Sequence, residues 1–106
     1  MVREVSPADV AARQAAGEPL VLLDVREPWE LAIAALPGVV AIPMGEIAQR
    51  FRELSPQTPT VVVCRSGSRS RQVAGFLEAQ GFVSVDNLAG GILAWGRELD
   101  PSLAAY

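Results

Sequence analysis

TVVVCRSGSRSRQVAGFLEAQG, residues 60 to 81, holds a strand, a loop and a helix in one pass, and its reading decides the fold. Thr60 to Cys64, four β-branched residues and a cysteine, is the most emphatic strand pattern in the chain. Val73, Phe76 and Leu77 recur at helical spacing, and Gly81 closes that pattern. Between the two lies Arg65-Ser66-Gly67-Ser68-Arg69, small and polar with a glycine at its centre. A buried strand running through such a loop into a helix is the unit from which parallel α/β sheets are built.

The flanking sequence repeats the alternation. Ser6-Pro7-Ala8-Asp9 starts a helix with a hydroxyl cap, a proline at the first helical position and an acid in the first turn, and Gly17 and Pro19 stop it. LVLLDV, residues 20 to 25, is continuously apolar, as expected of a strand covered on both faces, with Asp24 near its end. VVAI, residues 39 to 42, predicts a second buried strand between Pro37-Gly38 and Pro43. Met44, Ile47, Phe51 and Leu54 predict a helix, VSVDNL a last strand, and Ile92, Trp95 and Leu99 a last helix. The expectation is one domain over residues 1–106, with residues 99–106 a tail that lies on the surface or frays.

Composition narrows the chemistry. The 106 residues are 50% apolar, enough to bury a core without cross-links, and the one cysteine has no partner for an intramolecular disulfide. Histidine is absent, which removes the usual zinc ligand sets and the Cys-His and Ser-His-Asp arrangements. All nine basic residues are arginine, so Schiff-base chemistry and the Gly-Lys-Ser/Thr phosphate loop are excluded. A net charge of −3 argues against nucleic acid as a partner. No apolar stretch has the roughly 20 residues a membrane helix needs, and the first residues lack the apolar core of a signal peptide. We therefore expect no metal, no cofactor and no membrane, and a reducing compartment, the cytoplasm.

Cys64 ends its strand, where ligands of parallel sheets bind. The loop after it is expected to curl with its N–H groups inward as an anion-binding nest, supplemented by the start of the next helix. Amides, a helix N-terminus and guanidiniums all favour a thiolate over a thiol whose ordinary pKa is about 8.5. The arginines would thus stabilise the sulfur's charge or hold an anionic substrate, Arg65 first among them, with Arg71 placed on a solvated helix face. The competing reading is a buried structural cysteine with merely solvated arginines.

Four motifs together resemble the rhodanese-domain family in its single-domain sulfurtransferase form. Cys64-Arg65-Ser66-Gly67-Ser68-Arg69-Ser70 is similar to its active-site loop. Asp24-Val25-Arg26 with Glu30 resembles its D-x-R-x-x-x-E segment, Leu36-Pro37-Gly38 with Ala41-Ile42-Pro43 its "IPGA-N-IP" segment, and Leu88 to Trp95 its C-terminal signature. Ala35 stands where the family usually has histidine, a departure that bears on local packing more than on catalysis. Four residues separate Cys64 from Arg69, against five in the phosphatases and arsenate reductases that share or mimic the fold, and Ser70 occupies their arginine position. The shorter loop suits a persulfide sulfur better than a tetrahedral phosphate.

The resemblance implies a rhodanese-like α/β fold with a mostly parallel five-stranded sheet and helices on both faces. It also implies a thiosulfate sulfurtransferase-type reaction through a Cys64 persulfide, moving sulfur from a small anionic donor to a thiol or cyanide-like acceptor. Arg65, Ser66, Gly67, Ser68 and Arg69 would bind substrate, with Arg69 alternatively pairing with Glu30 or Asp24. Asp24, Arg26 and Glu30 would form a supporting shell; Trp29 would line the cleft rim or be structural. The second reading is a relay that passes persulfide to a sulfur-carrier protein or tRNA-modifying system; a third is a binding module without activity.

Overall fold

The computed structural model describes residues 2–103 and 105–106. Five strands, β1 (Arg3–Val5), β2 (Val21–Asp24), β3 (Val40–Ala41), β4 (Thr60–Val63) and β5 (Val85–Leu88), form one sheet in the order β1-β5-β4-β2-β3. Every neighbouring pair is parallel. The helices are α1 (Pro7–Ala15), α2 (Pro28–Ile33), α3 (Ile47–Arg50), α4 (Ser68–Ala79) and α5 (Gly91–Glu98).

The valines of β4 explain why the sheet is covered twice. Side chains alternate across a strand, so Val61 and Val63 point to one face and Val62 and Cys64 to the other. The first pair packs with Val10 of α1 and Ile92 of α5. The second packs with Ile47 of α3 and with Val73, Ala74 and Leu77 of α4. All three valines are fully buried, and each such side chain contributes about 1.5–3 kcal/mol by leaving water. β2 divides its residues likewise, Leu22 to one layer and Leu23 to the other.

Local signals set most element ends. Ser6 Oγ accepts the Asp9 N–H at 3.0 Å, and the Asp9 carboxylate accepts the Ser6 N–H at 3.2 Å, closing a reciprocal cap on α1 worth about 1 kcal/mol. Two expectations are corrected. Residues 39–42 do not form a buried strand: β3 is two exposed residues at the sheet edge, paired to β2 alone, and only Ile42 beyond it is buried. The helix expected over 44 to 54 is broken into 3-10 turns at Met44–Glu46 and Phe51–Glu53 on either side of α3. β1 and α2 had no apolar periodicity to announce them.

Chain direction locates a crevice. After β2 the chain moves outward to β3, whereas after β4 it moves the other way to β5. Strands whose onward connections diverge leave a gap at their carboxyl ends, where ligands of open α/β sheets bind. Asp24 ends β2 and Cys64 follows β4, at neighbouring registers of that gap.

Candidate active site

The loop after β4 is shaped by what binds its carbonyls. The N–H groups of Ile92 and Leu93, at the start of α5, donate to the carbonyls of Cys64 and Arg65 at 2.9 and 3.1 Å. Asn87 Nδ2, near the end of β5, donates to the Gly67 carbonyl at 3.1 Å. With these oxygens held outward, the intervening amides turn inward. The Gly67 N–H donates to Cys64 Sγ at 3.0 Å, and the amides of Ser66 and Ser70 also favour the thiolate.

Two glycines are required by this geometry. Gly67 caps α4 with φ +102°, in the left-handed region open to glycine. Gly91 has φ +59°, and a Cβ there would lie closer than 3.0 Å to the Cys64 and Arg65 carbonyls. Its hydrogen is what lets α5 approach the loop closely enough to bind those oxygens.

Cys64 is 1% exposed and lies in the core layer beneath α4. Burial pushes its thiol pKa up, but the Ser70 hydroxyl and the amides of Ser70, Gly67 and Ser66 outweigh that and bring it below the ordinary value. The Ser70 hydroxyl lies 3.2 Å from Sγ and close to Asn87 Oδ1. One hydroxyl carries one proton. Asn87 Oδ1 and Cys64 Sγ compete for it, and ionisation of the sulfur strengthens Sγ as the acceptor. Asn87 Nδ2, donating to Glu4 as well as to Gly67, holds the amide so that Oδ1 faces Ser70.

The three arginines near the loop diverge rather than converge on the sulfur. Arg69 grips Glu30 with two hydrogen bonds of 2.7 and 2.8 Å, which decides between the two partners the sequence left open. That bidentate contact holds the Glu30 carboxyl at about 2, against the ordinary 4.5, despite burial that opposes it. Arg71 pairs with Glu4 at 2.9 Å on the surface. Arg65 is exposed and places its guanidinium 4.9 Å from the centre of the Tyr106 ring.

The supporting residues are built as a buried unit. Arg26 is 0% exposed and donates from Nε and Nη2 to the Asp24 carboxylate, from Nη2 to the Ala34 carbonyl at 2.8 Å, and from Nη1 to a main-chain oxygen of Tyr106 at 2.9 Å. Glu30 ties α2 to Arg69 at the start of α4, while Asp24 and Arg26 tie the end of β2 to the carbonyl of Ala34 after α2. Ser66 and Ser68 are exposed, and Ser66 acts through its amide. Ser70, Asn87 and Tyr106 were not singled out from the sequence as site residues. Polar Asp86 and Asn87 between the apolar Val85 and Leu88 of a strand were the available signal, since buried polar groups need partners; Tyr106 had no local one.

A family model for the rhodanese-like domain matches residues 6–98. The chain is 38% identical over 104 residues to a sulfurtransferase of Allochromatium vinosum, covering 98% of this chain and 97% of that protein. It is 40% identical over 100 residues to YtwF of Bacillus subtilis, covering 94% and 96% of the two chains. The crystal structure of a rhodanese-like domain protein from Staphylococcus aureus superposes with a TM-score of 0.86 at 28% identity, covering 99% of each chain. This chain belongs to the rhodanese-like domain family, and its class of chemistry is sulfur transfer. It also matches parts of longer proteins. It spans 30% of the rhodanese-like/PpiC domain-containing protein 12 of Arabidopsis thaliana, and 21% of the adenylyltransferase and sulfurtransferase MOCS3-1 of Zea mays, at 33% identity. Among the described residues, no helix is long and apolar enough to cross a membrane.

Proposed function

We propose that this protein moves a sulfane sulfur from a small anionic donor of the thiosulfate type to a thiophilic acceptor, through a Cys64 persulfide. The Cys64 thiolate attacks the outer sulfur of the donor; the donor's S–S bond breaks, and sulfite departs with the bonding pair. An acceptor nucleophile, a thiol or cyanide, then attacks the outer sulfur, and Cys64 leaves again as thiolate. Two displacements replace one, with ping-pong kinetics. The chain has no second cysteine, so the acceptor is external.

The observation that carries this reading is the convergence of the Gly67 N–H and the Ser70 hydroxyl on Cys64 Sγ at 3.0 and 3.2 Å. Arg65, free of any ion pair among the described residues, is the cation we assign to the donor's anionic end. Ser66, Gly67 and Ser68 shape the nest, and Arg69, Asp24, Arg26 and Glu30 brace it. A single unpaired thiol suits a reducing compartment, and we place the protein in the cytoplasm. Intact mass spectrometry tests the reaction: thiosulfate should add one sulfur, cyanide should remove it, and Cys64→Ser should take up none. Sulfur transfer by the serine variant would sink the assignment.

The match to part of MOCS3-1 supports a second reading, in which a protein-bound persulfide is the donor and a sulfur-carrier protein the acceptor. Fast loading from a desulfurase alongside slow thiosulfate turnover would favour it.

A further inference from the structure

Tyr106 occupies two guanidiniums at once. Arg65 stacks on its ring at 4.9 Å, and Arg26 Nη1 binds its main-chain oxygen at 2.9 Å. Trp29, 56% exposed on α2, meets the same ring edge-on with centroids 5.2 Å apart. Glu30, the residue after Trp29, is the one that holds Arg69. The tail expected to lie on the surface or fray thus has Tyr106 fastened across the loops after β2 and β4; Ala104 lies outside the described residues. Leu103 packs on the α5 side of the core, anchoring the segment from within.

The charges beside the crevice are unequally committed. Arg26 is bound to Asp24, Arg69 to Glu30 and Arg71 to Glu4. Among the described residues Arg65 takes part in no ion pair, and its partner is the face of an aromatic ring. A ring quadrupole holds a cation more weakly than an anion does: an exposed stack is exchanged readily for a charge-assisted hydrogen bond. A neutral reagent offers no such exchange.

We propose that Tyr106 is a specificity-determining residue that gates Arg65: an anion gains the guanidinium's help at Cys64 only by displacing the ring, a cost that neutral molecules of the same size, which make no use of Arg65, do not meet. This rests on Cys64 being the reacting sulfur and, for its physiological meaning, on the sulfurtransferase reading above. The gate sets a threshold of charge for the use of Arg65, which a dianionic donor passes.

The test compares alkylation of Cys64 by iodoacetate and by iodoacetamide, which are alike in size and differ in charge. In Tyr106→Ala the ratio of the anionic to the neutral rate should rise about fivefold, the factor equivalent to one exposed cation–π contact. Tyr106→Phe, which keeps the ring, should retain the wild-type ratio. In an Arg65→Ala background the Tyr106→Ala change should leave the ratio unaltered. The thiosulfate KM should fall by a similar factor in Tyr106→Ala with kcat unchanged. An unchanged ratio in Tyr106→Ala, or both rates rising equally, would overturn the gate, as would a phenylalanine variant that behaves like alanine. Alkylation is independent of sulfur transfer. A wild-type protein that never loads sulfur therefore defeats the functional reading, while one that loads sulfur with an unaltered alkylation ratio defeats only the gate.

Discussion

Ser70→Ala separates the two ways in which the loop lowers the Cys64 pKa. The substitution removes one hydroxyl 3.2 Å from Sγ and leaves the Gly67 amide in place at 3.0 Å. A hydrogen bond to an ionised acceptor contributes about 1.5–3 kcal/mol. Sulfur is a diffuse acceptor, and Asn87 Oδ1 competes for the same proton, so the lower end applies. That is a rise of about one unit in the thiol pKa. The assay is the rate of alkylation by iodoacetamide against pH, whose midpoint reports the thiolate directly. A second readout comes from Asn87: its Oδ1 loses the Ser70 donor in a fully buried position, which costs about 1–3 kcal/mol. Thermal melting should fall by about 4–8 °C for each kcal/mol in a domain of this size. A lowered melting temperature with an unmoved alkylation midpoint would refute the reasoning, because the hydroxyl would then be holding Asn87 and not the sulfur.

Acid titration probes the Arg69–Glu30 clamp. With the Glu30 carboxyl held at about 2 in the folded chain, against its ordinary 4.5, its contribution is full above pH 4.5 and is lost as pH falls toward 2. Urea unfolding across that range should lose at most about 3 kcal/mol from this group, less the screening at the one-third-exposed Arg69. Glu30→Gln should flatten that part of the profile, and an unchanged slope would count against the clamp. Gly91→Ala tests the close approach of α5: the added methyl overlaps two loop carbonyls at a positive φ, so about 3 kcal/mol or more of stability should be lost. Cys64 alkylation near neutral pH should slow as the nest loosens, and a variant that melts and reacts like wild type would contradict the packing.

How much of this was legible in the sequence follows from how local each determinant is. The Ser6–Asp9 cap, the β4 valines and the Val73–Leu77 stripe of α4 act within a few residues, and each appears in the fold where it was expected. The sulfur's position after a central strand needed only the order of strand, loop and helix. The edge placement of β3 was not visible, because VVAI is as apolar as a central strand and only the number of its neighbours exposes it. β1 was missed for the opposite reason: Arg3-Glu4-Val5 is charged, yet it pairs along β5 with Arg3 bound to Asp86. The partners of the three loop arginines lie 39, 67 and 41 positions away along the chain, at Glu30, Glu4 and Tyr106. No local pattern encodes such pairings.

The divergence of the arginines changes what the loop's cations are for. Had all three faced the sulfur in a chain of net charge −3, their mutual repulsion would have required an anion to be present before the site could close. Instead two of them are neutralised by carboxylates from α2 and β1, and the work of ionising Cys64 passes to amides and one hydroxyl, whose dipoles are fixed by the backbone and need no counter-ion. Main-chain donors stay aimed whether the sulfur is thiol, thiolate or persulfide. They are directed by the carbonyls that α5 and Asn87 hold on the loop's outer side. In the function proposed above, selection of the incoming anion is then a separate task, resting on Arg65 and on whatever occupies it. If ionisation and recognition reside in different groups of one short loop, as proposed, the thiol pKa and the donor KM should respond to different substitutions.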